Sequence, residues 1–486
     1  MVLFKTEDLS FTYPTADKKA LNNVTLEIKA GELVLLMGKT GSGKSTLLRM
    51  LKKELSPAGT VQGKVINNSR ATAFVQQNPD TSFVSQRVRG ELAFALENQS
   101  INNDIIAVKI GETASFFNIT QMLDSDVNTL SGGEKATVAV AAAMICDADA
   151  LLLDEPFAQL DPKSTQQLIS LIKRVNGELG VTVLLSCHSC EGIADLCDRI
   201  IFLENGSVIG NDTPKKAAEN QMLLRFFPAY TQLLESRPLN VKDAIPRASE
   251  LREKPFAKAP VPQASVTAKG ITFAYGKRER DILSSLDYEA YKGKINAIIG
   301  ANGSGKTTLL KALAGIKKCY AGKVRLTGKA AYMPQDVRYL FTADTVAQEI
   351  ETEAAEKFGL AEQFNQHPYD LSGGQMQKLA LAILSRQNFD ILLLDEPTKG
   401  LDYENTQSLK VYLKGLAMQG KTVILVSHDI DFVSECADYV AFLADGIIAA
   451  LGERREILSS LNFYTSSVRR ITKPYLKSAS SVEDLL

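Results

Sequence analysis

Two octets can do phosphate chemistry. Gly38-Lys39-Thr40-Gly41-Ser42-Gly43-Lys44-Ser45 and Gly300-Ala301-Asn302-Gly303-Ser304-Gly305-Lys306-Thr307 both end in Gly-Lys followed by a hydroxyl. Their glycines (Gly38, Gly41, Gly43; Gly300, Gly303, Gly305) let the backbone curl until successive N–H groups point into one concavity, which suits phosphate oxygens. Lys44 and Lys306 are spaced to reach β- and γ-phosphates. The hydroxyls of Ser45 and Thr307, with Thr46 and Thr308 beside them, are spaced to meet Mg²⁺ and the phosphates. Two acid pairs complete the set. Asp154-Glu155 and Asp395-Glu396 each close an apolar run, and an acid at the end of a buried parallel strand lies at the sheet edge where ligands bind. The first acid of each pair suits Mg²⁺ and the second suits orienting or deprotonating an attacking water.

The elements that must position these groups occur twice. LLMGKTGSGKSTLLRML at 35–51 returns as AIIGANGSGKTTLLKAL at 297–313, ALLLDEPFA at 150–158 returns as ILLLDEPTK at 391–399, and VTVLLSCHS at 181–189 returns as KTVILVSHD at 421–429. The order is kept, so the unit of repetition is a whole domain, with extra residues in the first copy after its phosphate loop. Leu33–Met37, Leu151–Leu153 and Val181–Leu185, and their counterparts Ile295–Ile299, Ile391–Leu394 and Val423–Val426, are almost wholly apolar. Such runs belong to parallel strands buried on both faces. The expectation is an α/β fold: two tandem nucleotide-binding domains, each with a parallel central sheet.

Composition sets outer bounds. The 486 residues carry 55 Lys+Arg against 56 Asp+Glu, a net charge of −1, so no bulk attraction to nucleic acid or anionic lipid is expected. At 45% hydrophobic and 23% charged the chain reads as globular. No run approaches the ~18 apolar residues of a membrane span, and MVLFKTEDLS does not resemble a secretion signal. Six cysteines are too few for a disulfide scaffold. The domains are expected at 1–235, with a short tail, and at 265–455. The Pro-spaced stretch 236–264 reads as an extended linker, and 456–486 as a C-terminal tail whose polar end, KSASSVEDLL, frays.

Between the phosphate loop and the acid pair each copy carries a further block, TLSGGEK at 129–135 and DLSGGQM at 370–376. Phosphate loop, LSGGE or LSGGQ, LLLDEP and a His after a Val-rich strand, in this order, resemble ATP-binding cassette (ABC) ATPase domains over nearly the whole chain. The resemblance implies a helical signature subdomain in each domain, and ATP and Mg²⁺ as ligands. It implies that Ser131-Gly132-Gly133 and Ser372-Gly373-Gly374 are signature motifs, whose hydroxyl, bare amides and helix dipole face a γ-phosphate. In the family that phosphate is held by the other domain, which would pair Lys44 with Ser372 and Lys306 with Ser131. It further implies that Gln77 and Gln335 are Q-loop glutamines touching Mg²⁺ and the water, that His188 and His428 are switch histidines, that Asp161 and Asp402 are D-loop acids, and that Tyr13 and Tyr275 stack on adenine. Glu155 and Glu396 become the catalytic carboxylates. His367 is expected to be a loop residue without a catalytic role.

A finer resemblance lies around the first Q-loop. FVQQNPDTSFVSQRVRGELAFALEN at 74–98, with HPYDLSGG at 367–374 and DEPTKGLD at 395–402, is similar to the ATPases of energy-coupling factor (ECF) importers, and to their fused double-ATPase subunits in particular. That implies a transmembrane coupling protein and a small substrate-binding membrane protein as partners, a vitamin or transition-metal ion as cargo, and a peripheral place on the cytoplasmic face of the membrane. Glu91 and Glu349 become candidates for pairing with an arginine of the coupling protein. A soluble tandem ABC ATPase acting on ribosomes and the ATPase of another ABC transporter class remain alternatives. Glu134 stands where the second copy has Gln375, which places a carboxylate near a phosphate and leads us to expect unequal sites.

Overall fold

The computed structural model describes residues 1–14, 18–158, 160–258, 260–276 and 280–486. Two compact units, Met1–Asn240 and Val241–Leu486, make up the chain.

In the first unit the apolar runs form one six-stranded sheet. Its order is Thr72–Val75, Ala150–Leu153, Thr182–Cys187, Leu33–Gly38, Arg199–Glu204 and Ser207–Asp212. The first five strands are parallel, and the last is antiparallel. The second unit repeats this as Ala330–Met333, Ile391–Asp395, Thr422–Val426, Ile295–Ile299, Tyr439–Ala444 and Ile447–Glu453. The closing hairpins turn on Asn205-Gly206 and Asp445-Gly446, dipeptides that suit tight two-residue turns. They make the sheets mixed rather than purely parallel. Each unit also carries a separate antiparallel sheet of three strands, Leu21–Lys29, Val2–Thr12 and Thr60–Asn67 in the first and Leu283–Tyr291, Ala264–Phe273 and Ala321–Leu326 in the second.

Alternation along the central strand shows how the sheet joins two cores. Leu33, Leu35 and Met37 pack with the helices Val88–Asn98, Gly132–Met144 and Pro162–Leu179 on one face. Val34 and Leu36 pack with the antiparallel sheet and Leu47 and Leu48 on the other. Both faces are therefore apolar, as the sequence pattern required. The helical part between phosphate loop and signature holds Val88–Asn98 and Asn103–Phe116 in the first unit, but only Val346–Glu349 and Thr352–Phe358 in the second. That difference accounts for most of the extra residues of the first copy.

Two sequence expectations fail at the edges. The stretch expected to be an extended linker is folded in part: Val241–Arg247 is a helix, with Pro246 near its end, and packs on the helix Ser467–Thr472. The polar C-terminus does not fray. Ala479, Ser480, Ser481 and Asp484 are all buried. The reason is ionic. Glu253 accepts the N–H groups of Lys477, Ser478 and Ala479 at 3.2, 3.0 and 3.0 Å. Asp484 accepts those of Ser480 and Ser481 at 2.9 Å each and pairs with Arg454 at 2.7 Å. Arg455 reaches Glu253 at 3.4 Å. Polar side chains that satisfy buried backbone groups can order a segment that has little apolar surface to bury.

Candidate active site

Both phosphate loops leave the C-terminal end of the central strand, where the chain order reverses between neighbouring strands and α/β sheets bind ligands. Gly38 and Gly300 pass so close to the next strand that a Cβ would lie 2.3 Å from the carbonyl oxygen of Leu203 and 2.2 Å from that of Leu443. Gly43 and Gly305 open the following helices Lys44–Met50 and Lys306–Leu313 at φ 102°, which L side chains rarely adopt.

Inside each loop the lysine is curled back. Lys44 Nζ donates to the carbonyls of Gly38 and Lys39 at 2.9 and 3.1 Å. Lys306 donates to Gly300 and Ala301 at 2.9 and 2.8 Å. Burial lowers the pKa of Lys44, partly opposed by Glu155, whose carboxylate stands 3.6 Å away. Ser45 Oγ donates to Asp154 at 2.9 Å and Thr307 Oγ1 to Asp395 at 3.0 Å. Both aspartates are buried, which raises their pKa against the pull of these hydroxyls.

Glu155 and Glu396 have φ of 47° and 52°. Non-glycine residues seldom hold that conformation, and such strain gathers at functional sites. Each glutamate meets its histidine: His188 Nε2 lies 2.7 Å from Glu155, and His428 Nδ1 lies 2.9 Å from Glu396. The opposite ring nitrogen faces the acid in the two units. Gln77 adds an N–H to Glu155 at 2.9 Å. Among the described residues Gln335 makes no matching bond to Glu396. Burial would raise the Glu155 carboxyl, but His188 and Lys44 outweigh it and hold the group below its ordinary value.

Tyr13 and Tyr275 lie beside the loops. Their hydroxyls sit 3.0 Å from Thr46 Oγ1 and 3.2 Å from Thr308 Oγ1, and each ring meets Phe11 or Phe273 edge-on. Asp161 and Asp402 cap the helices Pro162–Leu179 and Tyr403–Met418. His367 accepts the N–H of Tyr369 in a loop. Ser131 and Ser372 are the N-caps of Gly132–Met144 and Gly373–Ser385. Both form capping boxes, so the S-x-x-E and S-x-x-Q spacing carries a structural meaning as well. Gly133 and Gly374 sit in the first turns of these helices.

The structure gives Glu91 and Glu349 a local role beside the expected pairing. One oxygen of each carboxylate is taken up inside the chain. Glu91 accepts the N–H groups of Val84 and Ser85 at 2.9 and 2.8 Å, and Glu349 accepts those of Thr342 and Ala343. Both side chains are buried and fix the end of the Q-loop.

Sequence reasoning also missed three groups. Ser186 and Tyr332 touch the buried aspartates, although a hydroxyl in SCH and in YMPQ was visible. Lys39, inside the first loop, pairs with Glu204 at 3.0 Å, and Glu204 with Arg225 at 2.8 Å. Ala301 and Ala444 hold the first two positions in the second unit, so this chain of charges is peculiar to the first.

The family model for ABC transporters matches residues 21–158 and 283–399. A putative ABC transporter ATP-binding protein of Bacillus cereus is 34% identical over 98% of this chain and 96% of its own length. One from Streptomyces avermitilis is 30% identical over 97% of this chain and 98% of its own. Among solved structures, the archaeal ribosome recycling factor aABCE1, crystallised with the ribosomal stalk protein aP1, aligns with a TM-score of 0.64 at 22% identity, over 92% of this chain and 90% of that one. That likeness shows a shared fold. The chain belongs to the ABC transporter family, as a tandem ABC ATPase that binds and hydrolyses ATP.

Proposed function

We propose that this ATPase powers an ECF-type importer of a vitamin or a transition-metal ion. The observation that carries the reading is the block 74–98, FVQQNPDTSFVSQRVRGELAFALEN. Transporter relatives that match almost end to end support it. No helix among the described residues is long and apolar enough to cross a membrane, so the membrane part of such an importer would belong to partners: a coupling protein and a small substrate-binding protein, with this chain peripheral on the cytoplasmic face.

Mg²⁺ suits the oxygens present. A hydroxyl and a carboxylate 2.9–3.0 Å apart at each loop form a hard, sparse donor set that leaves room for water and phosphate. Ser45 with Asp154, and Thr307 with Asp395, would hold the ion, with Gln77 and Gln335 near it. When bound, it would neutralise phosphate charge and polarise the bond that breaks. The rest falls to side chains. Lys44 and Lys306 exchange loop carbonyls for β- and γ-phosphate oxygens. Glu155 and Glu396 orient the attacking water and accept its proton. His188 and His428 hold those carboxylates in place. Ser131 and Ser372 present their hydroxyls to a γ-phosphate, and Tyr13 and Tyr275 offer faces to adenine.

The test is fractionation of cells expressing the tagged chain. Co-purification with integral membrane proteins supports the importer. Co-sedimentation with ribosomes, which survives detergent and follows nucleotide state, would overturn it in favour of a ribosome-acting ATPase.

A further inference from the structure

Each buried aspartate is held by two hydroxyls, and only one of them has the same origin in both units. The shared donor is Ser45 or Thr307. The other differs. In the first unit Ser186, on strand Thr182–Cys187, donates to Asp154 Oδ1 at 2.8 Å and accepts the N–H of Glu155 at 2.9 Å. In the second unit the equivalent position is Val426, which has no hydroxyl. There the phenol of Tyr332, on strand Ala330–Met333, donates to Asp395 Oδ2 at 3.4 Å. The first-unit counterpart of Tyr332 is Phe74, which cannot donate.

Strand register makes these equivalences firm. Phe74 pairs with Leu152 as Tyr332 pairs with Leu393, and Leu185 pairs with Leu153 as Leu425 pairs with Leu394. Ser186 and Val426 are the next residues along. The two strands lie on opposite sides of the strand that carries the aspartate. One unit therefore takes its second donor from one side, the other unit from the other side, and each lacks the donor its sister uses.

We infer that Ser186 and Tyr332 are equivalent positioning residues, each fixing the aspartate that addresses Mg²⁺·ATP. The inference rests on the proposed role of those aspartates. A buried carboxylate left short of a donor is poorly placed and poorly solvated, and a hydrogen bond to a charged group is worth enough to change an affinity by about tenfold. The engagement differs in detail. Asp154 takes both hydroxyls on Oδ1, while Asp395 takes one on each oxygen.

The experiment titrates Mg²⁺ against binding of a fluorescent ADP analogue to the full chain, with Lys306→Ala to read the first unit and Lys44→Ala to read the second. Ser186→Val is expected to raise the Mg²⁺ half-point about tenfold, and adding Phe74→Tyr to restore most of it. Tyr332→Phe is expected to act likewise in the second unit, and Val426→Ser to rescue it. Binding in EDTA should not move in any of these variants, whereas a packing defect would move it and would not be rescued from the opposite strand. A chain whose binding responds to Mg²⁺ but ignores Ser186→Val and Tyr332→Phe, or is not rescued by the paired changes, would overturn the inference alone. Binding indifferent to Mg²⁺ in the parent chain would overturn the reading of the site and the inference together.

Discussion

The hydroxyl of Ser131 donates to the carboxylate of Glu134 at 2.6 Å, and the backbone N–H of Ser131 donates to the same oxygen at 2.8 Å. In the second unit, among the described residues, Gln375 accepts only the N–H of Ser372, at 2.9 Å. The Ser131 proton is thus committed to a charge-assisted bond, the stronger kind. A phosphate approaching Ser131 would have to displace a carboxylate and also meet its charge. Glu134→Gln is therefore expected to raise ATP turnover about threefold to tenfold, with a slightly weaker cap. Steady-state hydrolysis at saturating ATP measures it, and an unchanged or lower rate would refute the idea that Glu134 restrains the site.

Glu155→Gln with Glu396→Gln should leave nucleotide binding intact and lower turnover by about 10²–10⁴-fold, the usual worth of a general base. Equilibrium binding and phosphate release on the same preparation separate the two effects. Parental turnover in the double variant would remove both residues from the mechanism.

The C-terminal knot makes the second unit sensitive to acid. Burial would raise Glu253 and Asp484, but backbone N–H groups around Glu253, and Arg454 and Arg455 with backbone N–H groups around Asp484, hold both carboxyls below their ordinary values. Folded-state values below unfolded ones mean that the stabilisation is complete above the ordinary carboxylate range and is lost as pH falls beneath it. Thermal unfolding followed from pH 7 to pH 3 should show that loss. Asp484→Asn should remove its own share of that loss and leave the share of Glu253, while costing about 3 kcal/mol at neutral pH, because Arg454 stays largely buried without its charged partner.

Glu204→Ala should detach the segment after the first core from the phosphate loop. The ion pairs through Lys39 and Arg225 are half-exposed, so the stability cost is small, about 0.5–1 kcal/mol. Hydrogen exchange is the sharper measure. Amides of 224–234 are expected to exchange faster in the variant, and unchanged protection would mean that Tyr230 and Phe227, both buried, hold the segment unaided.

Much of this architecture was written in local pattern. Apolar runs such as Leu33–Met37 could only be two-sided strands, and the glycine spacing at 38–43 and 300–305 could only suit a cradle. What is not legible in the sequence depends on distance. Glu253 meets Ser478 across more than two hundred residues, so the polar end of the chain looked free when it was pinned. Glu91 carries the right charge for a partner's arginine, and it also binds Val84 and Ser85 through backbone groups that no composition reveals. Glu134 sits in a legible capping pattern, three residues after Ser131, so its bond to that serine can be read from spacing alone.

The traded hydroxyls around the two aspartates carry a cost for inheritance. Halves that began as copies can overwrite one another when short tracts are exchanged between them. Copying the strand that bears Val426 over its sister, without the strand that bears Tyr332, would strip Asp154 of one of its holds in a single event. The reverse copy, which puts serine at 426 beside Tyr332, would leave Asp395 with both donors, so a short exchange of this strand between the halves is costly in one direction only.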